Sequence, residues 1–289
     1  MSRRLGDEVA RNVVDPLLGG IYATDIDQLS ARATFPQIED ATRRGRSLML
    51  SLRKMQKQNP VDPSAPIFGS LNGGLGRLID TLQERIIANG GEIRLSAPVL
   101  RVETTPMGST VVDLDDERIN AGNVVLTTPA FVTAELLRGD AQKRLSAIEY
   151  SSVVLATMDL AANSTDKLTG SGLLVAKSSQ DLITAVSYGS NKWPAWVRDG
   201  GSTLRVSGGH IGNPTVMEMT DGEILAAFSH ELEELVGLTQ TPTAVRISRW
   251  NNAFPQYDVG HQRLVKSIRE DLKRIHPAVL LTGAAYDGI

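Results

Sequence analysis

The segment NGGLGRLIDTLQERIIANGG, residues 72–91, decides the fold that the sequence predicts. Apolar side chains recur in it every three or four residues and trace one helix face, at Leu75, Leu78, Ile79, Leu82 and Ile86. The run Asn89-Gly90-Gly91 is typical of a left-handed helix end. Short strand patterns follow at residues 92–95, 99–104, 110–114 and 123–127. A helix followed by strands across glycine-rich junctions predicts an α/β layer.

A second block of strands and helices follows a helix predicted from Pro129 to Leu137. Its strands alternate only partly, which is typical of an antiparallel sheet half covered by helices. We predict these strands at residues 152–160, 172–175, 182–187, 203–209 and 244–250, and helices at 220–237 and 259–275. The apolar run 278–283 predicts a buried strand that ends at a glycine. This order indicates a chain that crosses twice between two domains.

The residues before this α/β layer are predicted to be helical. Leu5, Val9 and Val13 recur at steps of four, and Pro16 is predicted to end that helix. Gly19-Gly20 is predicted to lie in a tight loop, and a second helix is predicted over residues 37–58. Basic residues of this helix, between 43 and 57, indicate a solvated face, with attraction of an acidic substrate or anionic lipid headgroups as the alternative.

Composition excludes several classes of function. The net charge is −3 and aromatic residues make up 4% of the chain, which disfavours nucleic-acid recognition. The absence of cysteine excludes disulfides, thiolate metal sites and a cysteine nucleophile, and the four histidines lack metal-ligand spacing. No apolar run reaches the roughly 18 residues of a membrane helix, and the N-terminus does not resemble a secretory signal. We therefore predict a soluble, cytoplasmic protein.

Short catalytic motifs are missing from the sequence. It contains no G-x-S-x-G, no G-x-x-x-x-G-K-[ST] and no G-x-G-x-x-G. The glycines at 73, 74 and 76 resemble a phosphate loop, but a tight turn with close backbone packing is the favoured interpretation. Trp250, followed by Pro255, Gln256 and Tyr257, fits either the lining of a flat ligand or core packing, and both stay open.

Motifs in a shared order across nearly the whole chain resemble the oxygen-dependent protoporphyrinogen and coproporphyrinogen III oxidases, FAD-dependent enzymes of haem biosynthesis. The motifs are RRLGDE (3–8), PLLGGIYA (16–23), QLSARATFP (28–36), NGGLGRL (72–78), TTPA (127–130), GSGLLV (170–175), KWP (192–194), WNNAFPQY (250–257) and TGAAYDGI (282–289).

The resemblance implies an α/β fold of the amine-oxidase type. Such a fold joins an FAD domain on a mostly parallel sheet to a substrate domain of mixed sheet and helices. Residues 1–63 and 140–255 match the substrate domain, and residues 64–139 and 256–289 match the FAD domain. The family begins with a dinucleotide-binding strand, glycine-rich turn and helix, and closes with a helix after the TGAAYDGI motif. We therefore expect this chain to lack both and to be truncated at its two ends.

The same resemblance implies FAD as cofactor and a porphyrinogen and molecular oxygen as partners, with coproporphyrinogen III favoured over protoporphyrinogen IX. No catalytic acid or base, metal, nucleic acid or transmembrane segment is expected, and a homodimer stays open. Motif matching implies that the flavin contacts Val99, Trp250, Tyr257, Ala284 and Ile289, and that the macrocycle faces Gly20, Leu173 and Trp193. The alternatives are an inactive folded remnant, a porphyrin-binding module, or another flavin oxidase such as an amine oxidase or a carotenoid desaturase.

Overall fold

The structure is a computed structural model and describes residues 2–58, 60, 62, 65, 69–162, 168–179, 182–197 and 200–288, with only the backbone of Arg3. The chain divides into two compact units, each made of two segments. Unit 1 comprises Met1–Leu48 and Glu149–Val259, and unit 2 comprises Met49–Ile148 and Gly260–Ile289.

Helices occur in both units. The α-helices are α1 (Ser2–Leu5), α2 (Asp7–Val9), α3 (Asp15–Tyr22), α4 (Ala31–Thr34), α5 (Pro36–Arg44), α6 (Leu48–Gln58), α7 (Gly76–Ala88), α8 (Ala130–Leu136), α9 (Asp140–Leu145), α10 (Gly189–Lys192), α11 (Thr215–Glu218), α12 (Asp221–Val236), α13 (His261–Ile275) and α14 (Ala284–Asp287). A π-helical turn (Ala10–Val14) joins α2 to α3, and two 3₁₀ helices span Lys177–Ser179 and Pro194–Trp196. Among the described residues, no helix is long and apolar enough to span a membrane.

The strands form three sheets. They are β1 (Val99–Thr104), β2 (Thr110–Leu114), β3 (Arg118–Ala121), β4 (Val124–Leu126), β5 (Tyr150–Leu160), β6 (Gly172–Leu174), β7 (Ile183–Tyr188), β8 (Ser202–Gly208), β9 (Ala244–Pro255) and β10 (Val279–Leu281). Unit 2 holds the antiparallel sheet β1-β2-β3 and the parallel pair β10-β4. Unit 1 holds an antiparallel sheet in the order β6-β7-β8-β5-β9.

The core of unit 1 lies between one face of its five-stranded sheet and α12. A capping box of Thr220 and Glu223 starts α12, and Gly237, at φ 66°, ends it. Buried α12 side chains such as Phe228 pack against alternate residues of β5 and β8. A Cβ on Gly208 of β8 would lie 2.8 Å from Cζ of Phe228, so this close packing requires glycine.

The core of unit 2 is built around α13 and the parallel strands. Val265, Ile268 and Leu272 of α13 are buried. Asp271, on the same helix, forms an ion pair with Arg144 of α9, with 2.8 Å between Oδ2 and Nε. The mixed α/β fold predicted from the sequence is confirmed, because parallel strands with helices and a separate antiparallel sheet both occur.

Several sequence predictions need correction. Pro16 does not end a helix; it lies in the first turn of α3, directly after the π-helical turn Ala10–Val14. Gly19 and Gly20 therefore lie inside a helix rather than in a loop. The helix predicted over 37–58 is two helices, broken at Gly45, whose backbone is extended. Residues 92–95 form no strand; Arg94 instead forms exposed ion pairs there.

Candidate functional site

Gly20 borders the five-stranded sheet of unit 1. A Cβ built on Gly20 would lie 3.5 Å from Cδ2 of Leu174 in β6, which is an ordinary van der Waals distance. Gly20 is exposed and has helical backbone geometry, so nothing in its conformation requires glycine. Gly19 differs, because a Cβ there would lie 2.8 Å from the carbonyl oxygen of Thr24. A Cβ would therefore clash at Gly19, whereas at Gly20 it would make an ordinary van der Waals contact with Leu174.

The structure separates Leu173 from Leu174. Leu173 pairs with Val186 of β7, whose side chain is 2% exposed, and packs against the core shared with α12. Leu174 pairs with Ala185, points to the opposite sheet face and is 45% exposed. The surface that Gly20 approaches is thus formed by Leu174, and the predicted position Leu173 contributes to the core behind it.

A charge cluster of Lys177, Asp25 and Asp15, of which only Asp15 is buried, holds α3 in this position. Lys177 Nζ lies 2.8 Å from Asp25 Oδ2 and 3.4 Å from Asp15 Oδ2. The carboxylate of Asp15, buried at the start of α3, also accepts the amide hydrogen of Ile26 at 3.2 Å. The hydrogen bond from Lys177 lowers the pKa of Asp25. Lys177 follows β6 in the chain, so it ties α3 to the sheet next to Leu174.

The Pro-Gln-Tyr segment, residues 255–257, holds the C-terminal end of α3. The Gln256 amide nitrogen donates to the carbonyl oxygen of Tyr22 at 3.1 Å and to Ser151 Oγ at 3.0 Å. The ring of Tyr257 meets that of Tyr22 edge to face, 5.4 Å between centroids. Burial raises the pKa of Tyr257 to about 12. Tyr257 is 1% exposed, and its ring packs in a hydrophobic cluster, so its predicted contact with the flavin stays a prediction.

The two tryptophans among the predicted residues lie at different places in unit 1. Trp250 in β9 pairs with Val153 and is 52% exposed, so its ring has free surface. Trp193 lies between α10 and the 3₁₀ helix Pro194–Trp196 and is half-buried. The preceding residue, Lys192, lines an open cavity on the sheet face that carries Leu174.

Unit 2 carries the remaining predicted flavin contacts that the structure describes. Val99 begins β1 and is 38% exposed. Ala284 begins α14, directly after the end of β10, and is exposed. Ile289 lies outside the described residues.

The parallel strands β4 and β10 provide a backbone surface against which a cofactor can lie. The carboxyl ends of β4 and β10 meet at the same edge, which is where ligands bind in α/β sheets. Gly283, at φ 121°, follows β10, and a Cβ there would lie 3.6 Å from the carbonyl oxygen of Thr127. Arg269 fixes the adjacent α14 by donating to Asp287 Oδ1 at 3.0 Å. The residues present therefore fit a flavin at this edge.

Sequence reasoning missed a cationic part of the unit 1 surface. Arg205 of β8 lines the same cavity as Lys192, and its guanidinium lies 4.7 Å from the ring centroid of Trp196. The alternation of β8 could have placed Arg205 opposite the core residues Leu204 and Val206, but not beside Lys192. In the part of the chain that the structure describes, no three His, Asp or Glu side chains cluster as a metal site.

Comparison with known proteins finds a matching family of flavin-containing enzymes and several similar proteins. The sequence model of the family described as flavin containing amine oxidoreductase matches residues 1–288. The chain is 28% identical to a coproporphyrinogen III oxidase of Bacillus subtilis over 99% of this chain and 62% of the relative. It is 32% identical to the enzyme of that name from Mycobacterium leprae, over 99% and 61%. The chain thus spans about three fifths of the length of these relatives.

Solved structures give the same architecture. The crystal structure of an Exiguobacterium protein superposes with a TM-score of 0.86 at 31% identity, covering 100% of this chain and 61% of the other. A reduced UDP-galactopyranose mutase superposes at 0.71 with 12% identity, covering 98% and 61%, and shows likeness of fold alone.

Proposed function

Because this chain belongs to the flavin containing amine oxidoreductase family, we propose that it takes part in the FAD- and oxygen-dependent oxidation of a porphyrinogen in haem biosynthesis. Coproporphyrinogen III is the favoured substrate over protoporphyrinogen IX. Relatives from Bacillus subtilis and Mycobacterium leprae carry the name of the first activity at 28% and 32% identity.

One observation supports the proposal most strongly: Gly20 and the exposed Leu174 together form an apolar surface, called the wall below. A flat macrocycle needs an apolar surface without protruding side chains, and a helical glycine over an exposed leucine provides one. Two anchors hold this wall, the ion pairs of Lys177 and the hydrogen bond from Gln256 to the end of α3. The wall is therefore rigid enough to orient a large ligand.

The cofactor proposed here is FAD. The carboxyl ends of β4 and β10, with Gly283 and Ala284, are the residues of unit 2 that we assign to it, together with Val99 at the start of β1. Trp250, which the resemblance predicts to contact the flavin, lies in unit 1 and keeps about half of its ring surface open. When bound, the flavin accepts two electrons in each oxidation step, and oxygen reoxidises it.

The protein residues orient the substrate in this proposal. Leu174 and Gly20 contact the macrocycle, and the half-exposed Leu155 and Ala185 of the same sheet face extend the apolar surface. These four residues carry no polar side chain. In this proposal they contact one face of the ring, fix its position and keep water from that face. Positioning of this kind is the protein's share of catalysis when a cofactor carries the electron transfer.

A spectrum and a turnover assay test the proposal. The purified protein is titrated with FAD and supplied with coproporphyrinogen III in air, and porphyrin formation is followed by fluorescence. With FAD in excess, we expect porphyrin to form faster in the presence of the protein than in buffer with the same concentration of FAD alone. Porphyrin binding without turnover would indicate a binding module. Neither flavin nor porphyrin binding would overturn the proposal in favour of a folded remnant, and oxidation of an amine in place of the porphyrinogen would identify an amine oxidase.

A further inference from the structure

The five-stranded sheet of unit 1 has a free face with a distinct chemistry. Residues directly opposite each other in antiparallel strands share a face. Opposite the core residues, one row runs across the strands as Leu174, Ala185, Ser207, Leu155 and Ser248. The next row runs as Gly172, Ser187, Arg205, Thr157 and Arg246. A row that places three apolar side chains near Gly20 is therefore followed by a row that carries hydroxyls and two arginines.

The two rows enclose an open cavity of about 340 Å³. Leu174, Ala185 and Leu155 form its apolar part. Its polar part is formed by Ser171, Ser187, Ser207, Lys192 and Arg205. Every residue of this cavity belongs to unit 1, so the cavity needs no assumption about the second unit.

The cations of this cavity lack anionic partners within the described residues. Lys192 Nζ donates to Ser187 Oγ at 2.8 Å, and no described carboxylate lies within 4.0 Å of Lys192 or Arg205. The Nε atom of Arg205 is buried and has no hydrogen-bond acceptor among those residues. Asp159, a carboxylate further along the same face, accepts from the hydroxyl of Thr203 at 2.7 Å. Because Lys192 and Arg205 line the cavity without a carboxylate to balance their charges, a ligand that brings an anionic group into it would pair with these cations.

Arg205 is also held in place. Its guanidinium stacks on the ring of Trp196, 4.7 Å from the ring centroid, which fixes the plane of its donors before a ligand arrives. A planar fork of this kind matches a carboxylate better than a solvated ammonium does. Ser187, opposite Arg205 in the strand ladder, adds a hydroxyl group.

We propose that Arg205 and Lys192 bind the carboxylate side chains of an anionic macrocycle whose ring lies on Leu174 and Gly20. The inference rests on the proposed function and goes beyond it, because it names the residues that select a substrate by its acid side chains. It also gives the direction of selection: a ring with more carboxylates gains more from this face than a ring with fewer. Coproporphyrinogen, which carries four propionates, gains more than protoporphyrinogen, which carries two.

The test compares binding of two porphyrins that differ in charge. Coproporphyrin III and its uncharged tetramethyl ester are titrated into the wild-type protein, and the dissociation constants are measured by the shift of the Soret band. The variants are Arg205→Met and Lys192→Met, with Lys266→Met as control, because Lys266 lies on the exposed side of α13 in unit 2. Melting curves report whether each variant is folded, and the exposed Lys192 keeps the test valid if Arg205→Met unfolds.

We expect the wild type to prefer the free acid over the ester. Arg205→Met should weaken binding of the free acid about tenfold to a hundredfold, the effect of one charge-assisted hydrogen bond, and leave ester binding unchanged. Lys192→Met should act in the same direction, and Lys266→Met should have no effect. If both site variants bind the free acid as tightly as wild type, the carboxylate assignment is overturned while porphyrin binding stands. If wild type binds neither porphyrin, the proposed function itself fails.

Discussion

Leu174 Cδ2 lies 3.5 Å from the place where a Cβ atom on Gly20 would be, in the space between α3 and β6. Because Gly20 has helical geometry, a larger residue would meet no backbone strain there. Any effect of such a residue would come from the space that it fills in front of Leu174. A larger residue at position 20 therefore distinguishes a ligand-binding role of Gly20 from a structural one.

Gly20→Val should therefore block the macrocycle without unfolding the protein. Valine also favours the helix more than glycine does, so the melting temperature should stay within about 2 °C of wild type. We expect porphyrin formation to stop while flavin binding is kept, since Gly20 is not one of the residues assigned to the flavin. Full turnover, or loss of activity together with flavin and stability, would contradict this role.

Two glycines of the same unit serve as controls for Gly20→Val. Gly222→Val in α12 meets no atom within 4 Å and should leave turnover and stability unchanged. Gly19→Ala should instead lower the melting temperature, because its Cβ would lie 2.8 Å from the carbonyl oxygen of Thr24.

Lys177→Met should loosen α3 and destabilise the protein. The change leaves the buried Asp15 carboxylate with the single amide hydrogen bond from Ile26, at a cost of about 1–3 kcal/mol in the free energy of unfolding. Lys266→Met, in which an exposed pair with Glu270 is lost, should cost less than about 0.5 kcal/mol. Urea denaturation at pH 7 measures both, and equal costs would contradict the role given to Lys177.

The pH dependence of the Lys177 effect has a definite sign. Lys177 holds the pKa of Asp25 below its ordinary 3.8, so the stabilisation is present at neutral pH and is lost as the pH falls through that lowered pKa. The difference between Lys177→Met and wild type should therefore shrink when denaturation is repeated in acid. A difference that stays constant would show that lost packing, and not charge, is the cause.

His276 should make unit 2 sensitive to mild acid. Burial lowers its pKa from 6.5, only partly opposed by a backbone hydrogen bond with Arg138 and by the charge of Glu103. The unfolded chain then binds more protons than the folded one, so stability falls as the pH drops below about 6.5. His276→Gln should flatten the dependence of melting temperature between pH 8 and pH 5. His230→Gln, at a side chain 72% exposed, should not, and equal slopes would refute the effect.

The helix α7 carries an apolar face that the structure leaves open. Its exposed side chains are Leu75, just before the helix, and Leu78, Ile79, Leu82, Ile86 and Ile87. An apolar surface of this size favours self-association and dye binding. We expect strong ANS fluorescence and concentration-dependent sedimentation from wild type.

A double variant tests whether α7 is responsible. Ile79→Glu with Leu82→Lys should reduce ANS binding and self-association, with little change in melting temperature, because both side chains are about half exposed or more. Met107→Glu, at a side chain 94% exposed in the turn between β1 and β2, is the control and should change nothing. A monomeric wild type that ignores ANS would disprove the expectation.

Long periodic segments of the sequence were sufficient to predict much of the fold. The helices α12 and α13 and the strand β5 differ from their predicted ranges by a few residues at most, because their apolar spacing agrees with their burial. Pro16 misled the prediction of α3, since a proline ends a helix or begins one and only the surrounding packing decides between them.

The site was less predictable because it depends on pairing between strands. Two adjacent leucines in a strand of three residues give no sign of which one faces the core, so Leu173 was chosen where Leu174 is exposed. Lys192 and Arg205 share a cavity only because β7 and β8 pair with Ser187 opposite Arg205. The buried position of Tyr257 likewise depends on its packing against Tyr22, far away in the sequence.

Binding of coproporphyrin III to the wild-type protein and to Leu174→Gln tests the central claim most directly, which is that the surface formed by Gly20 and Leu174 contacts the macrocycle. Leu174 is 45% exposed, so the variant should fold as wild type does. The account predicts a saturable one-to-one shift of the Soret band for wild type, and an affinity at least about tenfold lower for the variant, as expected when a polar group replaces an apolar contact. The absence of a saturable shift with wild type, or equal affinity in the two proteins, would contradict it.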